Sequence, residues 1–278
     1  MTEVTPKRMQ MTDEAVVIRE RSIGEDDKLL TLLCRREGVI TAYARGAKKM
    51  KSTLGPSCGL LAYSSFQLFH SKDRYIVDRA DTINLFFGLR QNIEKLSLAS
   101  YLAEAACVTA PTGRESEPFL RLVLNCLHFL EKDMRTPQFI KPVFELRSLA
   151  MSGFMPDLVA CSGCGCYEAE EMFFSPLDGT LWCGSCAGGP EEKRVLLPPG
   201  VLAAMRHIIY CEFEKLFSFR LPEEGLRYLG QVCERYFLAQ MGQSFQTLDF
   251  YHSLSGMEAW AASGLSEGRQ DISAESGE

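Results

Sequence analysis

Histidine is scarce in this chain, with four in 278 residues, and none of His70, His128, His207 or His252 stands at ligand spacing from another. None is followed two positions later by glutamate, so the zinc-deaminase signature fails, and H-E-x-x-H is absent as well. There is no Gly-Lys dipeptide, which excludes a Walker A phosphate loop. No apolar run approaches the roughly 18–20 residues that a membrane helix needs, so a membrane is not an expected partner. Met1 to Gln10 is polar and lacks an apolar h-region, so no secretory signal is expected, and Met9 and Met11 make the first ten residues read as a dispensable extension. One catalytic motif occurs by chance: Gly55-Pro56-Ser57-Cys58-Gly59 fits G-x-S-x-G. A nucleophile elbow needs a strand before the serine and a helix after it. Here a basic loop precedes it and a strand is expected to follow, so a hydrolase is the remotest reading.

Cysteine, by contrast, is abundant, at 11 residues. Small secreted domains use such a supply for disulfides, but this chain is neither small nor equipped with an export signal, and paired cysteines in a reducing compartment are more often metal ligands. The hydrophobic fraction of 46% and charged fraction of 24% are those of an ordinary globular protein of one large or two to three small domains. The net charge of −6 argues at first against nucleic acid. Its distribution argues otherwise. Residues 1–80 hold 14 of the 30 Lys and Arg and only 10 of the 36 Asp and Glu, so the basic part comes first.

Short β-branched and apolar runs at Ala15-Val16-Val17-Ile18, Leu29 to Cys34, Val39 to Tyr43, Leu60 to Phe69 and Tyr75-Ile76-Val77 read as five strands, with Glu37-Gly38 and Ser71-Lys72-Asp73 as turns. Five strands in under 80 residues suggest a small barrel. An OB-type barrel fits best on count and length, although periodicity alone does not exclude an SH3-like one. From Asn84 the period becomes helical: Leu85, Leu89, Ile93 and Leu96 recur, then Ala99, Ala103 and Ala106. Leu120, Leu124 and Leu127 mark a second helix, Pro137 opens a third that runs to Ser152-Gly153, and two more are expected over 200–217 and 222–241. The expected class is an α+β multidomain chain. An OB-type barrel occupies 1–82 and a helical domain 83–253, with a four-cysteine zinc insertion over 158–190. Residues 254–278 are expected to form a disordered acidic tail.

Cys161-Ser-Gly-Cys164 and Cys183-Gly-Ser-Cys186 are two C-x-x-C pairs separated by 18 residues, a spacing expected of a four-thiolate zinc site. Two residues between cysteines let a tight turn aim both sulfurs at one ion. Met172-Phe173-Phe174 and Thr180-Leu181-Trp182 can pair as a hairpin between them, a zinc-ribbon layout. Four thiolates leave no open coordination position, so one structural Zn2+ is expected. Reduced or redox-active thiols are the alternative. Cys166 is able to stand in for Cys164, and the remaining cysteines read as small buried hydrophobes.

Arg45-Gly46-Ala47-Lys48-Lys49-Met50-Lys51 places four cations directly after a strand, in what reads as a mobile loop bounded by Gly46 and Gly55. Arg45, Lys48, Lys49 and Lys51 are therefore the DNA-contact candidates, against the plain alternative of a solvated loop. Lys7, Arg8, Arg74 and Arg79 are able to extend the patch. Tyr43, Phe66, Phe69 and Tyr75 are able to stack on bases, though each is individually more often a core residue.

The order of these parts resembles the bacterial RecO family of recombination mediators. A barrel ends in the Arg45-Gly46-Ala47-Lys48-Lys49 loop. A helical domain follows with Phe144-Glu145-Leu146 and Gly153-Phe154-Met155-Pro156, then the two cysteine pairs around a hairpin. The segment Gln243 to Tyr251, read as the tail of the last helix, resembles the family's C-terminal segment. The resemblance implies a cytoplasmic, nucleoid-associated protein without turnover. Such a protein binds single- and double-stranded DNA through the barrel and anneals complementary strands. It engages the acidic tail of single-strand-binding protein, and acts with RecR, and often RecF, to load RecA. It also implies an apolar pocket with a basic residue at its rim for that tail. Lys141 and Arg147, which flank Phe144-Glu145-Leu146, are the candidates. The competing reading is a zinc-ribbon interaction or transcription-associated protein whose barrel binds RNA or protein.

Overall fold

The computed structural model describes residues 9–71, 74–188 and 194–255. Lys7 and Arg8, and the expected acidic tail from 256 onward, lie outside the described residues. Five strands, β1 (Met9–Ile23), β2 (Asp27–Cys34), β3 (Gly38–Ala44), β4 (Tyr63–Ser71) and β5 (Arg74–Asn84), close into a barrel in the order β1-β2-β3-β5-β4. β1 is long enough to pair with both β2 and β4, and a register shift between Val17 and Arg19 bends it to do so. A short parallel contact, Ala42 with Tyr75 and Tyr43 with Ile76, completes the closure. This Greek-key barrel is OB-type.

Why the first run is apolar at every position becomes clear from its two faces. Ala15 and Val17 point into the barrel core, while Val16 and Ile18 point outward into the core of the helical domain. β2 divides in the same way, with Leu30 and Leu32 inside the barrel and Leu33 in the helical core. Period-two alternation thus sorts one strand between two cores. Backbone bonds extend the junction: Val39 N–H donates to Pro111 O at 2.8 Å, Gly113 N–H to Glu37 O at 3.0 Å and Ser116 N–H to Arg35 O at 2.9 Å. Gly38 sits at φ +67, and a Cβ there would lie 2.2 Å from Pro111 O, so the approach requires glycine.

The helical domain holds α1 (Ile93–Thr109), α2 (Glu117–Glu131), α3 (Pro137–Met151), α4 (Pro199–Tyr210), α5 (Glu223–Met241) and α6 (Gln246–Ser255). Three helical expectations need correction. Leu85 and Leu89 are not on the first α-helix: Asn92 N-caps α1 through its side chain, which accepts from Lys95 N–H at 3.1 Å, and Leu89 lies in a separate 3-10 turn over Phe87–Gln91. The helix expected over 200–217 stops at Tyr210, because Cys211 is extended and Arg147 binds the last carbonyls. Gly242, at φ +63, ends α5, so the segment resembling the family's C-terminal tail forms its own helix, α6, packed on α1. A three-stranded sheet, β6 (Met172–Ser175), β7 (Thr180–Cys183) and β8 (Val195–Leu197), is inserted between α3 and α4 in the order β7-β6-β8.

Candidate functional site: a four-thiol centre and a basic loop

The two cysteine pairs meet. The sulfurs of Cys161, Cys164, Cys183 and Cys186 all lie within 4.8 Å of one another, and Cys166 is outside this group. Pairing of Met172 with Cys183 at the end of the hairpin delivers the second pair to the first. A Cβ on Gly163 would stand 2.9 Å from the Cys186 Cβ, so the turn closes only around glycine. Gly163 N–H points at the Cys161 sulfur at 3.4 Å and Cys183 N–H at 3.2 Å. Burial pushes the Cys161 thiol up, but N–H groups of Cys183, Cys164 and Gly163 more than offset it and bring it down to about 6. These four soft donors, gathered so closely, fit a tetrahedral metal ion. The insertion is no separate module: Leu158, Phe174, Leu181 and Leu197 belong to the same apolar core as the helices. Tyr236 of α5 packs edge-on against Phe174 at 5.4 Å.

The basic loop lies at one end of the barrel. Arg45, Lys48, Lys49 and Lys51 are all exposed, and Met50 at the tip is fully so. The loop is not free at its base. Gly46 N–H donates to Asp27 Oδ1 at 2.7 Å, Lys48 N–H to Asp26 O at 2.9 Å, and Ala47 is buried as a plug on the barrel core. The segment expected to be a mobile loop is thus tied at its base as a turn that projects its cations. Lys49 reaches Asp26 at 3.5 Å. Among the described residues neither Arg45 nor Lys51 has an ion-pair partner.

Lys141 is buried and stands at no surface rim, which corrects its placement, while Arg147 is half-buried against α4. α3 is buried on nearly every side. Lys141 is 2% exposed, with its Nζ 2.7 Å from Glu145 Oε1 and 2.6 Å from Glu234 Oε2. Tyr101 donates to Glu145 at 2.7 Å, and His252 of α6 lies 3.0 Å from Glu234. Burial pushes the Lys141 ammonium down, and the two carboxylates more than offset it. Arg147 Nη1 donates to Ile208 O and Ile209 O at 3.0 and 2.6 Å, capping the negative end of α4.

What sequence reasoning missed is a cleft of about 430 Å³ between α2 and the segment after α4. It is lined by Arg121, Asn125, Phe129, Phe213, Glu214 and Phe217. Arg121 stacks over the Phe213 ring at 4.4 Å and pairs with Glu214 at 3.0 Å, while Phe129 and Phe217 stack at 4.5 Å. These partners stand some ninety residues apart, so no local pattern announces them. Ser57, the serine of the chance G-x-S-x-G match, is buried, and its hydroxyl bonds Ala80 O and Thr82 Oγ1.

A closed OB-type barrel fused through a shared core to a helical body that carries a four-thiol site defines a multidomain OB-barrel protein. Comparison with known families carries this further. The family model for Recombination protein O N terminal matches residues 9–86, and that for Recombination protein O C terminal matches residues 90–249. The chain is similar to the DNA repair protein RecO of Acetivibrio thermocellus, 33% identical over 86% of this chain and 95% of the relative. It is also similar to that of Alkaliphilus metalliredigens, 32% identical over 87% and 98%, and that of Pelotomaculum thermopropionicum, 33% identical over 85% and 91%. The chain belongs to the RecO family of DNA repair proteins. No helix among the described residues is long and apolar enough to cross a membrane.

Proposed function

We propose that this chain is a DNA-binding recombination mediator without turnover, acting in the cytoplasm at the nucleoid. It holds single- and double-stranded DNA on the barrel and anneals complementary strands. With RecR and RecF it helps to load RecA on single strands coated by single-strand-binding protein. The observation that carries the reading is the anchored loop of Arg45, Lys48, Lys49 and Lys51, which projects cations from a barrel in the basic part of an acidic chain. Phosphates meet such cations with release of counterions and without regard to sequence. Two strands held on one charged surface repel each other less, which is what annealing requires.

The four thiols suit one structural zinc ion, which would fix the insertion against the helical core. Because that insertion buries its apolar side in the helical body, it is poorly suited to act as a free interaction module, which supports the mediator over the ribbon-adaptor reading. The cleft at Arg121 meets the description of a tail pocket: aromatic walls with a guanidinium at the rim. We place the acidic tail of single-strand-binding protein there, with Arg121 exchanging Glu214 for the tail's terminal carboxylate. The test of the whole reading is annealing of complementary oligonucleotides without nucleotide. Acceleration by the full chain, retained on strands coated with single-strand-binding protein, is the expected result. A rate equal to the protein-free control overturns it.

A further inference from the structure

The outer face of β3 alternates with its inner one. Ile40, Ala42 and Ala44 fill the barrel, so Thr41 and Tyr43 face outward and Arg45 follows on the same side. Cross-strand register extends this outer row. Tyr43 stands opposite Leu29 of β2 and Ile76 of β5, Leu29 opposite Arg21 of β1, and Ile76 opposite Phe69 of β4. The row therefore reads Arg21, Leu29, Tyr43, Ile76, Phe69 across the five strands.

The aromatic residues of the barrel differ in what their rings do. Phe66 is fully buried in the barrel core, and Tyr75 packs against that core and against the His70 ring at 4.7 Å. Tyr43 belongs to neither apolar core. The contact of its ring is the Arg74 guanidinium, 5.6 Å from the centroid. Arg21, Arg45 and Arg74 are exposed, and among the described residues none of them has an ion-pair partner. A half-exposed tyrosine ring with the Arg74 guanidinium beside it, and Arg21 and Arg45 on the same outer face, matches a nucleotide: the base on the ring, the phosphates on the cations.

We propose that Tyr43 is a base-stacking platform that takes an unstacked base of single-stranded DNA on the outer face of β3, with Arg21, Arg45 and Arg74 on the flanking phosphates. This deepens, and rests on, the reading of the barrel as the DNA surface. It adds a discrimination that the basic loop alone does not supply. Loop cations attract any phosphate chain, whereas bases inside a duplex already stack on each other and offer Tyr43 no free face. The platform thus favours single strands, while the loop serves both forms.

The test uses the full chain with Tyr43→Ala, Tyr43→Leu and Tyr43→Phe. Anisotropy is read on a labelled single strand and on the matching duplex over a salt series, with 2-aminopurine fluorescence reporting base stacking directly. Tyr43→Ala is expected to weaken single-strand binding by about tenfold, the low end of the range for one base on one aromatic ring. Duplex affinity and the salt slope should stay as in the wild type, and the 2-aminopurine quench should disappear. Tyr43→Leu, which keeps apolar bulk without a ring face, should behave like Tyr43→Ala. Tyr43→Phe should retain the quench and bind within about twofold of wild type, because the ring carries the contact. Unchanged single-strand affinity and quench in the Ala and Leu variants overturn the platform while leaving the loop reading intact. An equal loss on single strand and duplex with a flatter slope also overturns it, making Tyr43 a support of the loop. Wild-type protein that binds neither form removes the DNA reading and the platform with it.

Discussion

Lys48, Lys49 and Lys51 on the barrel and Lys141 in the helical domain carry the same side chain in opposite surroundings. The first three stand in water at the end of a turn, with one ion pair among them, Lys49 to Asp26 at 3.5 Å. Lys141 is enclosed by Glu145, Glu234 and Tyr101. A buried charge must be matched inside the protein, since leaving it alone costs several kcal/mol. An exposed charge need not be, and contributes little to stability. The difference teaches where to look for function: charge neutralised within the core is committed to the fold, and charge left over on an anchored turn is free for a partner.

The largest effect should come from the thiols, since metal binding in such sites is folding free energy, of order 10 kcal/mol. Protein purified without chelator should contain one zinc per chain by elemental analysis. Cys161→Ser, or stripping with a strong chelator, should abolish the cooperative thermal transition of the helical domain, because Cys161, Cys183 and Leu181 are part of its core. Metal-free protein with an unaltered transition would refute this. Next is Lys141→Met, which leaves two buried carboxylates without their cation. It should cost about 3–5 kcal/mol by denaturant titration while DNA affinity at the barrel holds. Should DNA binding fall with only a small change in stability, the division between committed and free charge is wrong.

Smaller is the effect of Arg121→Ala. Titration of an acidic tail peptide into the full chain should show affinity falling about tenfold or more, with DNA affinity unchanged. Binding as tight as wild type would move the pocket elsewhere. The smallest effect is on pH dependence. Burial pushes Glu234 up, but Lys141 and His252 more than offset it, holding its carboxyl at about 2 against an ordinary 4.5. Its contribution is therefore present above pH 4.5 and lost as pH falls toward 2. Burial raises Glu145 to about 7, so its contribution has the opposite sign: present below 4.5 and lost as pH rises through 7. Glu145→Gln should flatten the limb between pH 4.5 and 7 in a stability profile and leave the acid limb in place. A profile identical to wild type would show that the two carboxyls do not titrate as their surroundings imply.

Much of this architecture was legible because it is local. Strand alternation, the turn at Glu37-Gly38 and the spacing of the two cysteine pairs are patterns of a few residues. Helix ends were less so: α4 stops at Tyr210 because an arginine sixty residues earlier caps it, and no window over 200–217 contains that arginine. Lys141 was misplaced for the same reason. Its spacing to Glu145 marks a helical pair, but only the approach of α5 with Glu234 turns that pair into a buried triad. The cleft at Arg121 joins residues from α2 and from beyond α4, which the sequence separates by the whole insertion.

The claim that exposed loop cations are the DNA contacts is tested most directly by the salt dependence of single-strand binding. Fluorescence anisotropy of a labelled oligonucleotide is measured across a salt series for wild type and for the Lys48→Ala, Lys49→Ala, Lys51→Ala triple variant. Each phosphate contact on a single strand contributes about 0.7 to the log–log slope, so three lost contacts should flatten it by about two units, equally for all base sequences. Zinc content and thermal stability should not move, because the three side chains face water. A slope unchanged in the triple variant would mean that the loop is merely solvated and that DNA lies elsewhere on the chain.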